Sequence, residues 1–196
     1  PINGDLIRQT EDRYILAYQS KYTINFRAFD APANVQASIG IRSDIIPVSK
    51  LDHMMNQQTL LNQVKDGKTN ENNLYAYINL PLLQGRKITI EPGLRLDYID
   101  FNFKDYLSKN SNHTWKSSLN PKLKINYTVT PSCELYLKAG SGFHSNDARV
   151  SVTDITSSHL PKAKGIDLGL HYRPFSNALV AVGLWMLDTQ DELVYV

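Results

Sequence analysis

The sequence predicts an all-β protein whose antiparallel up-and-down strands, arranged in consecutive hairpins, form part of a transmembrane β-barrel. Three observations predict it. Runs of about ten residues alternate apolar and polar side chains, nearly twice the usual strand length of ~5–6, and ~9–11 residues is what a tilted strand needs to cross a bilayer. Connectors alternate between short (near 30–34, 83–87, 130–132 and 174–177) and long (46–72, 104–116 and 144–162), the asymmetry of an outer-membrane barrel with tight turns at one rim and large loops at the other. Aromatic residues gather at both ends of the runs, with Phe101, Phe103, Tyr106, Trp115, Phe143 and Trp185 at the long-loop end and Phe29, Tyr127, Tyr172 and Phe175 at the short-turn end. Two such belts mark two water interfaces.

The elements follow in order. Arg13 to Gln19 is a candidate first strand, separate from a second run in which Tyr22, Ile24, Phe26 and Ala28 oppose Thr23, Asn25 and Arg27. A turn at Asp30–Asn34 leads into Val35, Ala37, Ile39 and Ile41, opposite Gln36, Ser38, Gly40 and Arg42, and closes a hairpin. Leu74 to Leu82 and Ile88 to Tyr98 form the next hairpin, with Glu91, Arg95 and Asp97 on one face. Leu123 to Val129 pairs with Leu135 to Ala139 through Thr130-Pro131-Ser132; Ile166 to Tyr172 pairs with Val180 to Met186 through Pro174-Phe175-Ser176-Asn177. Prolines 32, 131 and 174 lie in or beside turns, as befits a residue with no N–H for a ladder. One stretch breaks the period of two: Leu51, Met54, Met55, Leu61 and Val64 are near helical spacing, which predicts either a short amphipathic helix or an irregular loop over 49–66.

Composition excludes several classes. Lys+Arg 21 against Asp+Glu 19 gives a net charge of +2, too balanced to argue for nucleic acid or an acidic partner. The lone Cys133 forms no internal disulfide or metal clamp and reads as a small apolar strand residue. No run of ~18 apolar residues exists, so a helical span is excluded, whereas a mean hydropathy of −0.34 suits strands that expose apolar groups only at alternate positions. The first residues carry no export signal and the last ones lie in a strand-like run, so the chain is expected to be a mature or internal piece of a longer protein.

In a wide barrel the charged face lines a wet lumen and the apolar face meets lipid. The expected lumen residues are Arg27, Arg42, Glu91, Arg95, Asp97, Lys122, Lys124, Glu134, Lys138, Asp167, His171 and Arg173. The competing reading is a soluble β-sandwich that binds carbohydrate or protein through its long loops; a third is a complete eight-stranded barrel.

Ordered motifs sharpen this. Glu91-Pro92-Gly93-Leu94-Arg95-Leu96-Asp97-Tyr98 resembles the GxRxDY strand of TonB-dependent outer-membrane receptors. Asn120-Pro121-Lys122-Leu123, Tyr127, Pro131, Glu134-Leu135-Tyr136 and Gly140 to Arg149 resemble that family's passage ending in GFHSNDAR. Leu160 to Leu170, with Leu184-Trp185-Met186-Leu187-Asp188 and Glu192-Leu193-Val194, is similar to two later strands, although Asp167 and Asp191 replace the more usual residues. The resemblance covers 72–196 well and the first seventy residues loosely. It implies an outer-membrane location and uptake of a scarce bulky nutrient: siderophore-iron, haem, cobalamin, metal or oligosaccharide. It also implies a barrel of about 22 strands filled by a plug domain carrying a box that engages TonB. Neither plug, box nor closing strand is recognisable, so an internal barrel segment is expected, with lipid and the plug of the same full-length chain as partners. TonB would be engaged only through that plug.

Enzymatic readings are weaker. Glu91, Arg95 and Asp97, or Asp167, His171 and Arg173, could form an acid/base pair, but a solvated wall of opposite charges explains them better. No nucleophile elbow, HExxH or phosphate loop occurs, and no cofactor is expected. His144, Asn146, Asp147 and Arg149 form either a ligand or plug contact or a polar turn capping two strands. His53-Met54-Met55 is a poor chelate for copper.

Overall fold

The structure is a computed structural model that describes residues 5–28, 31–84, 87–143 and 160–190. These form β1 (Asp5–Ala28), β2 (Ala31–Met55), β3 (Thr59–Asn79), β4 (Leu82–Gln84), β5 (Ile88–Asp105), β6 (Ser111–Thr130), β7 (Cys133–Phe143), β8 (Lys162–Phe175) and β9 (Ala178–Thr189). The strands join into one antiparallel sheet ordered β1-β2-β3-β5-β6-β7-β8-β9, each paired with its chain neighbours. The three-residue β4 pairs β5 below β3. Leu80-Pro81 separates the two, and Pro81 has no N–H to continue the ladder. Among the described residues there is no second sheet, so the sandwich reading fails. β1 does not meet β9, so the sheet is not a closed eight-stranded barrel.

Three expectations are corrected. The first concerns the N-terminal runs, which are one strand of 24 residues, kept in step by a register shift between Asp12 and Tyr14. The second concerns 46–72 and 104–116, which are tall hairpins rather than loops, and 49–66 holds no helix. Register shifts between Ile46 and Ser49, Leu51 and Asp52, and His53 and Met54 explain the misleading spacing. Each bulge adds an unpaired residue, so the alternation slips and imitates a helical period. The hairpin turns at Asn56 and Gln57, both at positive φ (50° and 63°), with Gln58 N–H donating to Met55 O at 3.2 Å. A two-residue turn with both centres at positive φ matches strand twist and favours glycine at its second centre. Gln57→Gly should stabilise the hairpin by about 1 kcal/mol, seen as slower amide exchange across its upper half.

The third concerns the aromatic belt. Phe101 and Phe103 are buried on the polar face of β5, and Phe143 and Leu160 pack against the buried pair Ile99 and Phe101. Trp185 shares the face of its partner Asp167. On the opposite face Tyr98 stacks on Trp115 at 5.7 Å, and Tyr127 and Tyr172 stand nearer the short turns. Tyr106 is exposed in the β5–β6 turn, and Phe29 lies outside the described residues.

Pairing register makes the apolar face continuous. Tyr22, Ala37, Ile78 and Leu94 form one row; Ile125, Leu137, Leu168 and Leu184 form another. Leu94, Leu168 and Leu184 are 41%, 52% and 75% exposed, which water would not tolerate across a whole sheet face. From Ala33 to Ile41, eight steps of ~3.4 Å at a tilt of ~40° give ~21 Å of height, close to the ~25 Å apolar band of outer-membrane barrels. Above that band the same face turns polar. Ser43 Oγ donates to Asn72 Oδ1 at 2.7 Å, Asn102 Nδ2 donates to Asp100 Oδ2 at 2.7 Å, and His113 Nε2 lies 2.5 Å from Asp100 Oδ1.

The β5–β6 turn lies beyond the band. Burial pushes the Asp105 carboxyl up, but the Ser108 hydroxyl, the Leu107 and Ser108 N–H groups and the Lys65 charge outweigh it, so its pKa falls below the ordinary 3.8. The oxygens accept from Leu107 N at 2.9 Å and Ser108 Oγ at 2.8 Å. With the folded pKa below the unfolded one, this stabilisation is present above pH ~4 and is lost as pH falls through the depressed value. The protection factor at Leu107, which removes the pH dependence of intrinsic exchange, should therefore fall only below pH ~4.

Candidate lumen wall

The second face carries the charges, and the two faces differ in burial. Asp97 and Phe101 are both 0% exposed, although the described residues form only one sheet. In a single layer, side chains close over one another only where the surface curves toward them, so the polar face is the inner one. Strand alternation and register put the charged residues from Arg27 on β1 to Arg173 on β8 on one face of the sheet. His144, Asn146, Asp147 and Arg149 lie outside the described residues.

The densest part is built around Asp97. Arg95, two positions earlier and so on the same face, donates through Nε at 2.9–3.0 Å and Nη2 at 2.7 Å. Asn73 Nδ2 and Asn120 Nδ2 add bonds at 3.3 Å from the strands on either side, so the dehydrated carboxylate is met from three strands. A buried charge survives only with such satisfaction. The Arg95 guanidinium lies 4.0 Å from the centre of the Tyr75 ring. That ring in turn fills the space above Gly40, where any Cβ would overlap it. Glycine is favoured there by close approach, not by backbone conformation, since a Cβ would push the Tyr75 ring aside. Arg42 repeats the in-strand fork on β2, meeting Asp44 at 2.6 and 3.0 Å, and Arg13 approaches Asp44 at 3.6 Å.

A second cluster crosses β5 to β8. One register row reads Glu91, Lys124, Lys138, Asp167, with ion pairs at 3.4 Å for Lys124–Glu91 and for Lys138–Asp167. Tyr136 Oη donates to Asp167 at 3.3 Å, its ring lies 4.3 Å beneath Lys138 Nζ, and its body covers Gly169 as Tyr75 covers Gly40. His171 packs on Tyr136 at 5.1 Å and comes within 3.7 Å of Glu134. Lys122 stands between Gly93 and Gly140 in its row. These groups can hold water and polar solutes; among the described residues no set of three or more His, Cys, Asp or Glu could hold a metal.

Alternation found the charges but missed their partners. Asn73, Asn120, Tyr75 and Tyr136 share the inner face at polar parity, and the signal that marks the tyrosines is the cross-strand glycine each faces. That signal becomes readable only once register is known.

A sheet with a lipid-height apolar band on one face and a hydrogen-bonded, ion-paired polar network on the other is a section of a transmembrane β-barrel. The family described as TonB dependent receptor-like, beta-barrel, matches residues 3–196, and the chain belongs to it. It is therefore a section of a TonB-dependent receptor β-barrel of the outer membrane. No curated protein matches it in sequence. Similar solved structures include the ferric citrate transporter FecA in unliganded form, at 16% identity and TM-score 0.77 over 94% of this chain and 29% of that one. The ferric-catecholate import receptor Fiu of E. coli K12 matches at 12% and 0.72, over 92% and 32%. The ferric yersiniabactin uptake receptor FyuA of Yersinia pestis matches at 11% and 0.66, over 95% and 30%. The chain thus spans about three-tenths of their length.

Proposed function

We propose that this chain is an internal portion of a TonB-dependent receptor that takes up a scarce bulky nutrient across the outer membrane, a siderophore-type iron chelate foremost. The inner face, Arg27 through Arg173, would line the lumen and touch the plug domain of the full-length chain, and TonB would be engaged through that plug. The outer rows would meet lipid. The observation that carries the reading is the pairing of opposite faces in one sheet: exposed Leu94 and Leu168 outside, fully buried Asp97 inside. The chelate class is supported by the ferric cargoes in the names of FecA, Fiu and FyuA. The segment 144–149 would add a cargo or plug contact, since Phe143, which leads into it, packs on the inner-face pair Ile99 and Phe101.

The test is accessibility. In the intact receptor in cells, a cysteine at position 95 should react with a water-soluble maleimide once the lumen is opened, whereas one at 94 should react only with a lipid-soluble reagent. Reaction at 94 with the water-soluble reagent alone sinks the assignment. Uptake of a radio-iron chelate that stops when the receptor is deleted tests the cargo class.

A further inference from the structure

We propose that this section of the wall is an anion track, and that the cargo it passes is anionic, a chelate bearing free carboxylate or phosphate groups. The inference rests on the transport reading above and adds the charge of the substrate to it.

Many of the inner anions are already neutralised by neighbours. Asp44, Glu91, Asp97 and Asp167 each lie against a permanently basic group on the same face: Arg42, Lys124, Arg95 and Lys138 respectively. Cations remain over. Lys116, Lys122 and Arg173 have no ion partner among the described residues. All three are exposed, so their charge is projected into the space the sheet faces.

Their positions form a line. Lys116 sits beside Ile99 near the tall hairpins, Lys122 is six residues lower on the same strand, and Arg173 lies eight residues below Gly165, the residue two strands across from Lys122. At ~3.4 Å per residue these steps are ~20 and ~27 Å along the strands, so free positive charge is spaced from one rim to the other. Low-dielectric walls of one sign focus potential into the passage between them and concentrate solutes of the opposite sign.

Shape agrees at the middle position. Beside Lys122 the wall holds an open hollow of about 880 Å³, lined among others by Gly140, Gly165, Gly183, Tyr77 and Tyr136. A hollow of that size holds a ligand of several hundred daltons. The two lysines nearest to Lys122, Lys124 and Lys138, are neutralised by Glu91 and Asp167, which leaves Lys122 as the group there with an unmet charge.

The experiment uses the intact receptor in planar bilayers, opened with urea to clear the lumen, under a potassium chloride gradient. Chloride should permeate in preference to potassium. The triple substitution Lys116→Gln, Lys122→Gln and Arg173→Gln should lower the chloride-to-potassium permeability ratio about two-fold or more. Lys104→Gln should leave it unchanged, because Lys104 shares the outer face with Tyr98. A potassium-preferring wild type, or a ratio that the triple substitution does not move, overturns the anion track while leaving the barrel intact.

Discussion

Arg95→Ala should destabilise the folded barrel by about 3–5 kcal/mol, the largest effect expected of any single inner-face substitution. The reason is what it leaves behind. Asp97 is 0% exposed, and without Arg95 its carboxylate keeps only the amides of Asn73 and Asn120 at 3.3 Å. A dehydrated charge with two neutral donors must either protonate or draw water into the wall. Arg95→Lys should lose less, about 1–2 kcal/mol, because the charge stays while the fork at 2.7–3.0 Å and the stacking on Tyr75 go. Replacing both members, Arg95→Met with Asp97→Leu, should recover most of the loss, since an apolar pair leaves no charge unmet. Urea midpoints of the intact receptor in detergent measure all three. An Arg95→Ala midpoint within the error of wild type would show that water already reaches Asp97.

The second large effect lies on the outer face. Leu168→Arg should cost about 2–4 kcal/mol in lipid, the range for a cation near the midplane of a barrel's exterior. Leu168 is 52% exposed, and its row neighbours Ile125, Leu137 and Leu184 are all apolar, so no anion is at hand to pair with the new guanidinium. Three residues on, His171→Arg should change stability by less than about 1 kcal/mol, because that side chain faces Glu134 across 3.7 Å on the wet side. Folding yields into vesicles, read from the heat-modifiable gel shift, give the comparison. Equal losses at 168 and 171 would mean that the two faces see the same solvent.

These paired outcomes separate what alternation can say from what it cannot. Strand parity alone assigned Leu168 outward and His171 inward, and placed all twelve charged residues on one surface, because a period of two leaves a side chain only two directions. It failed where the period itself slips. At Ile46, Leu51 and His53 the bulges made a strand look helical. At Phe101 the belt reading misjudged the environment, since an aromatic on the inner face above the membrane packs on Ile99, Phe143 and Leu160 rather than at a lipid boundary.

The local pattern of residues determined that this chain is a run of antiparallel hairpins with one greasy and one ionic side, and its ordered motifs determined the family. Only the tertiary structure decided how tall the hairpins stand, which cations keep an unmet charge, and that Asp97 is locked by Asn73, Asn120 and Arg95 while Tyr75 and Tyr136 lie over glycines. The physical reason is range: the direction of a side chain is set by its own backbone, whereas its partner is set by the register between strands that lie far apart in the chain.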